Sequence, residues 1–118
     1  FMGSSAGGTI AMSVTYNALE ESRPNFVAPI YAYGNAIIGS KVPSVRTPIF
    51  IACASDDDLG FATHSVHIYL KWLEAKQPAE LHMFEKGKHG FGTKKQDLPV
   101  DTWMDRFTDW LKMHGLIK

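Results

Sequence analysis

Apolar side chains change their rhythm along this chain, and the changes divide it into strands and helices. Phe1 to Gly3 reads as the end of a strand; the small residues Ser4 to Gly8 follow, then a run in which Ile10, Ala11, Val14 and Ala18 recur at helical spacing. Segments 25–31 (NFVAPIY) and 47–54 (TPIFIACA) are short and almost continuously apolar, the pattern of strands buried on both faces of a parallel sheet. Pro24, Pro29, Pro43 and Pro48 punctuate them. From Phe61 to Lys76 the positions Phe61, Val66, Ile68, Tyr69, Trp72 and Leu73 predict a helix with one buried stripe. Residues 80–84 (ELHMF) alternate as a strand does, and 85–99 are rich in Gly and Lys. Trp103, Phe107, Trp110 and Leu111 mark a last amphipathic helix, with Gly115 placed to cap it. Strands alternating with helices imply right-handed βαβ crossovers, hence an α/β fold with a mostly parallel sheet flanked by helices. Such sheets carry their functional groups on the loops at the C-terminal ends of the strands.

Composition narrows the possible partners. The 118 residues suit one small domain, and no compositional break divides residues 1–118. Twelve basic and twelve acidic side chains cancel, so no broad basic field draws nucleic acid. The single Cys53 excludes an internal disulfide framework and reads as a buried strand residue. No apolar stretch approaches the roughly 20 residues of a membrane-spanning helix. The expected partner is a small molecule, with no nucleic acid, membrane, cofactor or metal; localisation stays open.

Three of the strand-end loops hold chemistry. Gly3-Ser4-Ser5-Ala6-Gly7 fits G-x-S-x-G, in which small flanking residues let a tight strand-to-helix turn present the central serine at the sheet edge. Ser5 would then be a nucleophile, and the amide of Ala6, at the helix N-terminus, an oxyanion donor. A plain glycine-rich connection is the competing reading. A phosphate loop fits less well, because Thr9 stands where its lysine is needed. The second loop holds Asp56, Asp57 and Asp58; a carboxylate there could fix the tautomer of a histidine, form a solvated turn, or, as the weakest option, bind a metal. The third loop holds His89 between Gly87 and Gly90, which allow a tight turn that delivers the ring. One strand-helix-strand unit of about 30 residues separates the acidic loop from His89, so the two loops should end on adjacent strands. His64 and His67 fall on the helix, His82 in a strand, and His114 at a helix end, where structural roles are expected. Trp72, Trp103 and Trp110 read as core.

The order Ser5, Asp57, His89, each after a strand, is the chain order of an α/β-hydrolase triad. The elbow at 3–8, the segment FIACASDDDLG and the segment ELHMFEKGKHGFG resemble the esterase branch of the α/β-hydrolases, which includes acetylxylan-esterase-like and carboxylesterase-like proteins and is related to the prolyl-oligopeptidase family. The resemblance implies the C-terminal half of an α/β-hydrolase fold, with Ser5 as nucleophile and His89 as base. It implies Asp57 as the acid, since a Leu usually follows that acid by two places and Leu59 does so here; Asp56 and Asp58 are the alternative registers. It also implies an ester substrate and an acyl-enzyme. Family members carry about four further strands before the elbow, together with a second oxyanion amide. The expectation is therefore an N-terminally truncated domain that self-associates or pairs with the missing half. The rivals are a prolyl-oligopeptidase-type serine peptidase and a fragment without catalytic activity.

Overall fold

The computed structural model describes residues 2–4, 26–31, 42 and 46–117. Four strands, β1 (Met2–Ser4), β2 (Ala28–Ile30), β3 (Ile49–Ala54) and β4 (Ala79–Phe84), form one sheet in the order β1-β2-β3-β4. Every neighbouring pair is parallel. Helix α1 (Ala62–Glu74) connects β3 to β4, and a 3-10 turn (Pro99–Thr102) leads into α2 (Trp103–Met113). The helix read after Gly8 lies outside the described residues.

β3 carries the alternation that builds the core. All six of its residues are buried. Successive side chains of a strand point to opposite faces. Ile49 and Ile51 meet Ile68 and Trp72 of α1, whereas Phe50, Ala52 and Ala54 join Trp103, Phe107 and Trp110 of α2. The two helices therefore cover opposite faces of the sheet, as the all-apolar strand implied. Trp72, Trp103 and Trp110 are all core residues. The Trp72 indole N–H donates to Thr47 O at 2.8 Å, and the Thr47 amide donates to Gln77 Oε1 at 2.9 Å, so the entry to β3 keeps its buried polar groups paired. Cys53 is fully buried, and burial pushes its thiol pKa up, away from nucleophilic use.

Several elements differ in extent from the sequence pattern. Among the described residues of the apolar run 25–31, the strand covers Ala28–Ile30, with Val27 making an isolated bridge to Ile49. Pro29 interrupts the ladder to β3 between that bridge and Ile30: the Val27 and Tyr31 amides donate to Pro48 O and Ala52 O, and Pro29 between them has no N–H to offer. The predicted helix 61–76 ends at Glu74. There Lys76 turns left-handed at φ 59°, while its amide and that of Gln77 bond back to Leu73 O and Trp72 O, a Schellman ending on a non-glycine residue. The buried stripe of α1 is also narrower than the pattern suggested: Ser65, Ile68 and Trp72 face the sheet, whereas Val66, Leu70 and Leu73 are exposed. At the end of α2, Gly115 caps as expected, with φ 71° and the Leu116 amide donating to Leu111 O at 2.9 Å.

Candidate active site

Parallel strands put their C-terminal ends on one edge of the sheet, so the loops after β3 and β4 meet there. The first turns sharply: the Asp57 amide donates to Ala54 O at 3.1 Å and the Gly60 amide to Asp57 O at 2.9 Å. This turn points the Asp57 side chain inward, where it is fully shielded from solvent. Its Oδ1 accepts the Leu59 amide at 2.9 Å and the Phe61 amide at 3.4 Å. Its Oδ2 lies 2.8 Å from Nδ1 of His89, which is 15% exposed. A buried carboxylate needs donors for both oxygens, and here backbone and imidazole supply them. With Nδ1–H donating to Asp57, the proton-accepting nitrogen of the neutral ring is Nε2.

The two neighbouring aspartates are spent on the backbone of the histidine loop. Asp56 Oδ1 accepts the amides of Gly87 at 3.0 Å and Lys88 at 2.8 Å. Asp58 Oδ1 accepts the His89 amide at 3.2 Å, and that bond is the main reason its carboxyl sits below the usual carboxylate range. The three acids are thus divided among separate partners. Among the described residues no group of three or more His, Cys, Asp or Glu is arranged to hold a metal ion.

The histidine loop itself needs left-handed backbone on both sides of the ring, at Lys88 (φ 63°) and Gly90 (φ 73°). Gly87 comes so near the 3-10 turn that a Cβ there would stand 3.1 Å from both methyl carbons of Val100. The Gln96 amide group donates to Gly87 O at 3.2 Å, and the Trp103 indole N–H donates to Gly92 O at 2.7 Å, tying the loop to the start of α2. Aromatic rings stand against the imidazole as well: Tyr31 with centroids 4.9 Å apart and Phe61 at 5.4 Å. These two residues, and the clamping role of Asp56 and Asp58, were not legible as site components in the sequence. The only available signal was position, since Tyr31 ends a strand at the functional edge.

Three of the remaining histidines have other partners. His82 Nε2 pairs with Glu80 Oε2 at 2.7 Å, His114 Nδ1 accepts from Arg46 at 3.3 Å, and His64 stacks on Phe61. Ser5 and Ala6 lie outside the described residues; β1 ends at Ser4, immediately before them, on the same sheet edge as Asp57 and His89.

Comparison with known proteins places this geometry in a family context. The sequence matches the model of the dienelactone hydrolase family over residues 1–115. No curated protein matches the sequence. Among solved structures, an α/β-hydrolase enzyme from a Medee basin deep-sea metagenome library is 26% identical, with a TM-score of 0.76 over 95% of this chain and 52% of its own. A sugar hydrolase from Lactococcus lactis is 25% identical, with a TM-score of 0.83 over 96% of this chain and 57% of its own. An acetyl ester-xyloside bifunctional hydrolase from Caldicellulosiruptor lactoaceticus shares the fold at 21% identity, with a TM-score of 0.87 over 99% of this chain and 57% of its own. The chain therefore spans little more than half the length of these structures, and its sheet and helices correspond to part of an α/β-hydrolase fold.

Proposed function

This chain belongs to the dienelactone hydrolase family, and from that premise we propose that it supplies the catalytic residues of a serine carboxylic ester hydrolase acting on a small ester. The observation that carries the reading is the 2.8 Å contact between buried Asp57 Oδ2 and His89 Nδ1. A histidine held by a carboxylate at one ring nitrogen is the general base that a serine nucleophile requires. Ser5, in G-x-S-x-G directly after β1, is that nucleophile.

In the proposed reaction Ser5 Oγ attacks the ester carbonyl while His89 Nε2 takes its proton. The carbonyl oxygen becomes an oxyanion, stabilised by the Ala6 amide at the N-terminal end of the following segment. His89 then returns the proton to the leaving alcohol, giving an acyl-serine. Water attacks the acyl group with His89 again as base, and the acid and free Ser5 are released. Asp57 holds the tautomer and stabilises the imidazolium of both steps.

A fluorophosphonate probe tests the nucleophile. Labelling of the wild type that vanishes in Ser5→Ala is expected, and a wild type that never labels would overturn the reading. Faster turnover of short-chain p-nitrophenyl esters than of aminoacyl anilides is the result that separates an esterase from a peptidase. Self-association belongs to the same reading, because among the described residues β1 pairs only with β2, leaving its other edge without a ladder partner. A monomer by light scattering at micromolar concentration would remove that part.

A further inference from the structure

A general base on a loop must hold its ring plane, and a hydrogen bond at one ring nitrogen does not by itself fix it. The Nδ1–H···Oδ2 contact with Asp57 leaves the imidazole able to rock about the line joining the two atoms. The backbone beneath it is a loop with left-handed residues immediately before and after the histidine. What stands against the sides of the ring therefore contributes to its orientation.

Tyr31 supplies such a wall. It follows the last residue of β2, at the functional edge of the sheet, and its amide donates to Ala52 O at 2.8 Å, which anchors it to the central strand. Its ring meets His89 at a centroid separation of 4.9 Å and an interplanar angle of 68°. It cannot retreat, because it also meets the buried Phe91 at 4.7 Å and 76°, and Phe91 packs on Trp103 of α2. Tyr31 itself is buried, and its backbone has φ 39°, a left-handed conformation that an aromatic residue seldom adopts. Such an outlier persists only where the surroundings over-determine it, and functional sites are where such outliers collect.

We infer that Tyr31 is a positioning residue: its ring, wedged between Phe91 and His89, fixes the plane of the imidazole so that Nε2 keeps one direction while Nδ1 stays on Asp57. The inference rests on His89 being the base, and Tyr31 acts through that residue. The ring does this work and the hydroxyl does not, which makes Tyr31→Phe the conservative variant and Tyr31→Leu the disruptive one.

The experiment uses the full chain and two readouts. The first is the downfield Nδ1 proton resonance of His89 by NMR, which needs no catalysis. The second is kcat and KM for p-nitrophenyl acetate, with thermal unfolding as a control for folding. Tyr31→Phe is expected to keep the resonance and a kcat within about twofold of wild type. Tyr31→Leu should broaden the resonance and lower kcat tenfold or more at nearly constant KM, the signature of a misaligned catalytic group. Should Tyr31→Leu fail to fold cooperatively, Tyr31→Met, flexible and of similar reach, takes its place. A wild type without the protected resonance, a leucine or methionine variant that keeps it, or a change in KM alone would overturn the proposal. If the wild type hydrolyses no ester while Tyr31→Leu still loses the resonance, the ester hydrolase reading fails and the positioning stands.

Discussion

Asp56 Oδ1 accepts the backbone amide of Lys88 at 2.8 Å, across 32 positions of sequence. Through that bond, and its companion from Gly87 at 3.0 Å, the loop after β3 takes hold of the loop after β4 one residue before the imidazole. The Asp57–His89 pair is thus flanked by a structural pair made of the neighbouring acid and the neighbouring backbone.

Asp56 should therefore matter for stability and geometry more than for proton transfer. Removing a charged acceptor shared by two amides costs about 2 kcal/mol. Asp56→Ala is expected to lose about that much in urea unfolding and to lower kcat, whereas Asp56→Asn, which keeps an acceptor oxygen, should lose less of both. Equal loss in the two variants would show that the charge, rather than the hydrogen-bond acceptor, holds the loop.

The three aspartates should separate cleanly by rate. Asp57→Asn replaces the carboxylate at Nδ1 with an amide that can stabilise the wrong tautomer, a change expected to cost about 10³- to 10⁴-fold in kcat. Asp58→Asn alters only the carboxylate that accepts the His89 amide at 3.2 Å on the exposed side, and should stay within about threefold of wild type. Steady-state kinetics on a short-chain ester would decide. A larger loss in Asp58→Asn than in Asp57→Asn would reassign the acid.

Acidification should weaken the fold before the carboxylates titrate. His64 and His114 both have pKa values below the ordinary 6.5, chiefly because burial disfavours the charged ring, with His67 adding to the effect on His64 and Arg46 to that on His114. The unfolded chain then binds more protons than the folded one from about pH 6.5 down to those lowered values. Stability rises with pH through this window and is lost as the pH falls. The urea midpoint should drop from pH 7 to about pH 5.5, and less steeply in a His64→Gln, His114→Gln double variant. Identical slopes in the two proteins would refute the assignment.

Gly87 is fixed by space. A Cβ at this position would lie 3.1 Å from the Val100 methyl carbons and 3.2 Å from its Cβ, and Val100 is buried. Gly87→Ala should destabilise by about 1–3 kcal/mol, as other overpacked sites do. Adding Val100→Ala should restore only part of this in thermal unfolding, since the Val100 Cβ remains. An unchanged melting temperature in Gly87→Ala would mean that the loop shifts freely.

The chain pattern alone determined the class of fold. An unbroken apolar run such as IFIACA can satisfy both faces only inside a covered parallel sheet, and the spacing of Trp103, Phe107 and Trp110 leaves one face for a helix to bury. It also put Asp57 and His89 on loops at one edge, because parallel strands joined by a helix must end on the same side. Tertiary structure decided what local pattern could not encode. Which of three adjacent carboxylates meets the imidazole depends on how the turn after Ala54 points each side chain, a matter of backbone dihedrals set by the Asp57 amide and by the loop arriving from β4. Tyr31 and Phe61 reach His89 only because β2 and β4 flank β3 and α1 starts beside it. Contacts between side chains so far apart in sequence leave no periodicity to read; they exist only once the sheet has brought its edges together.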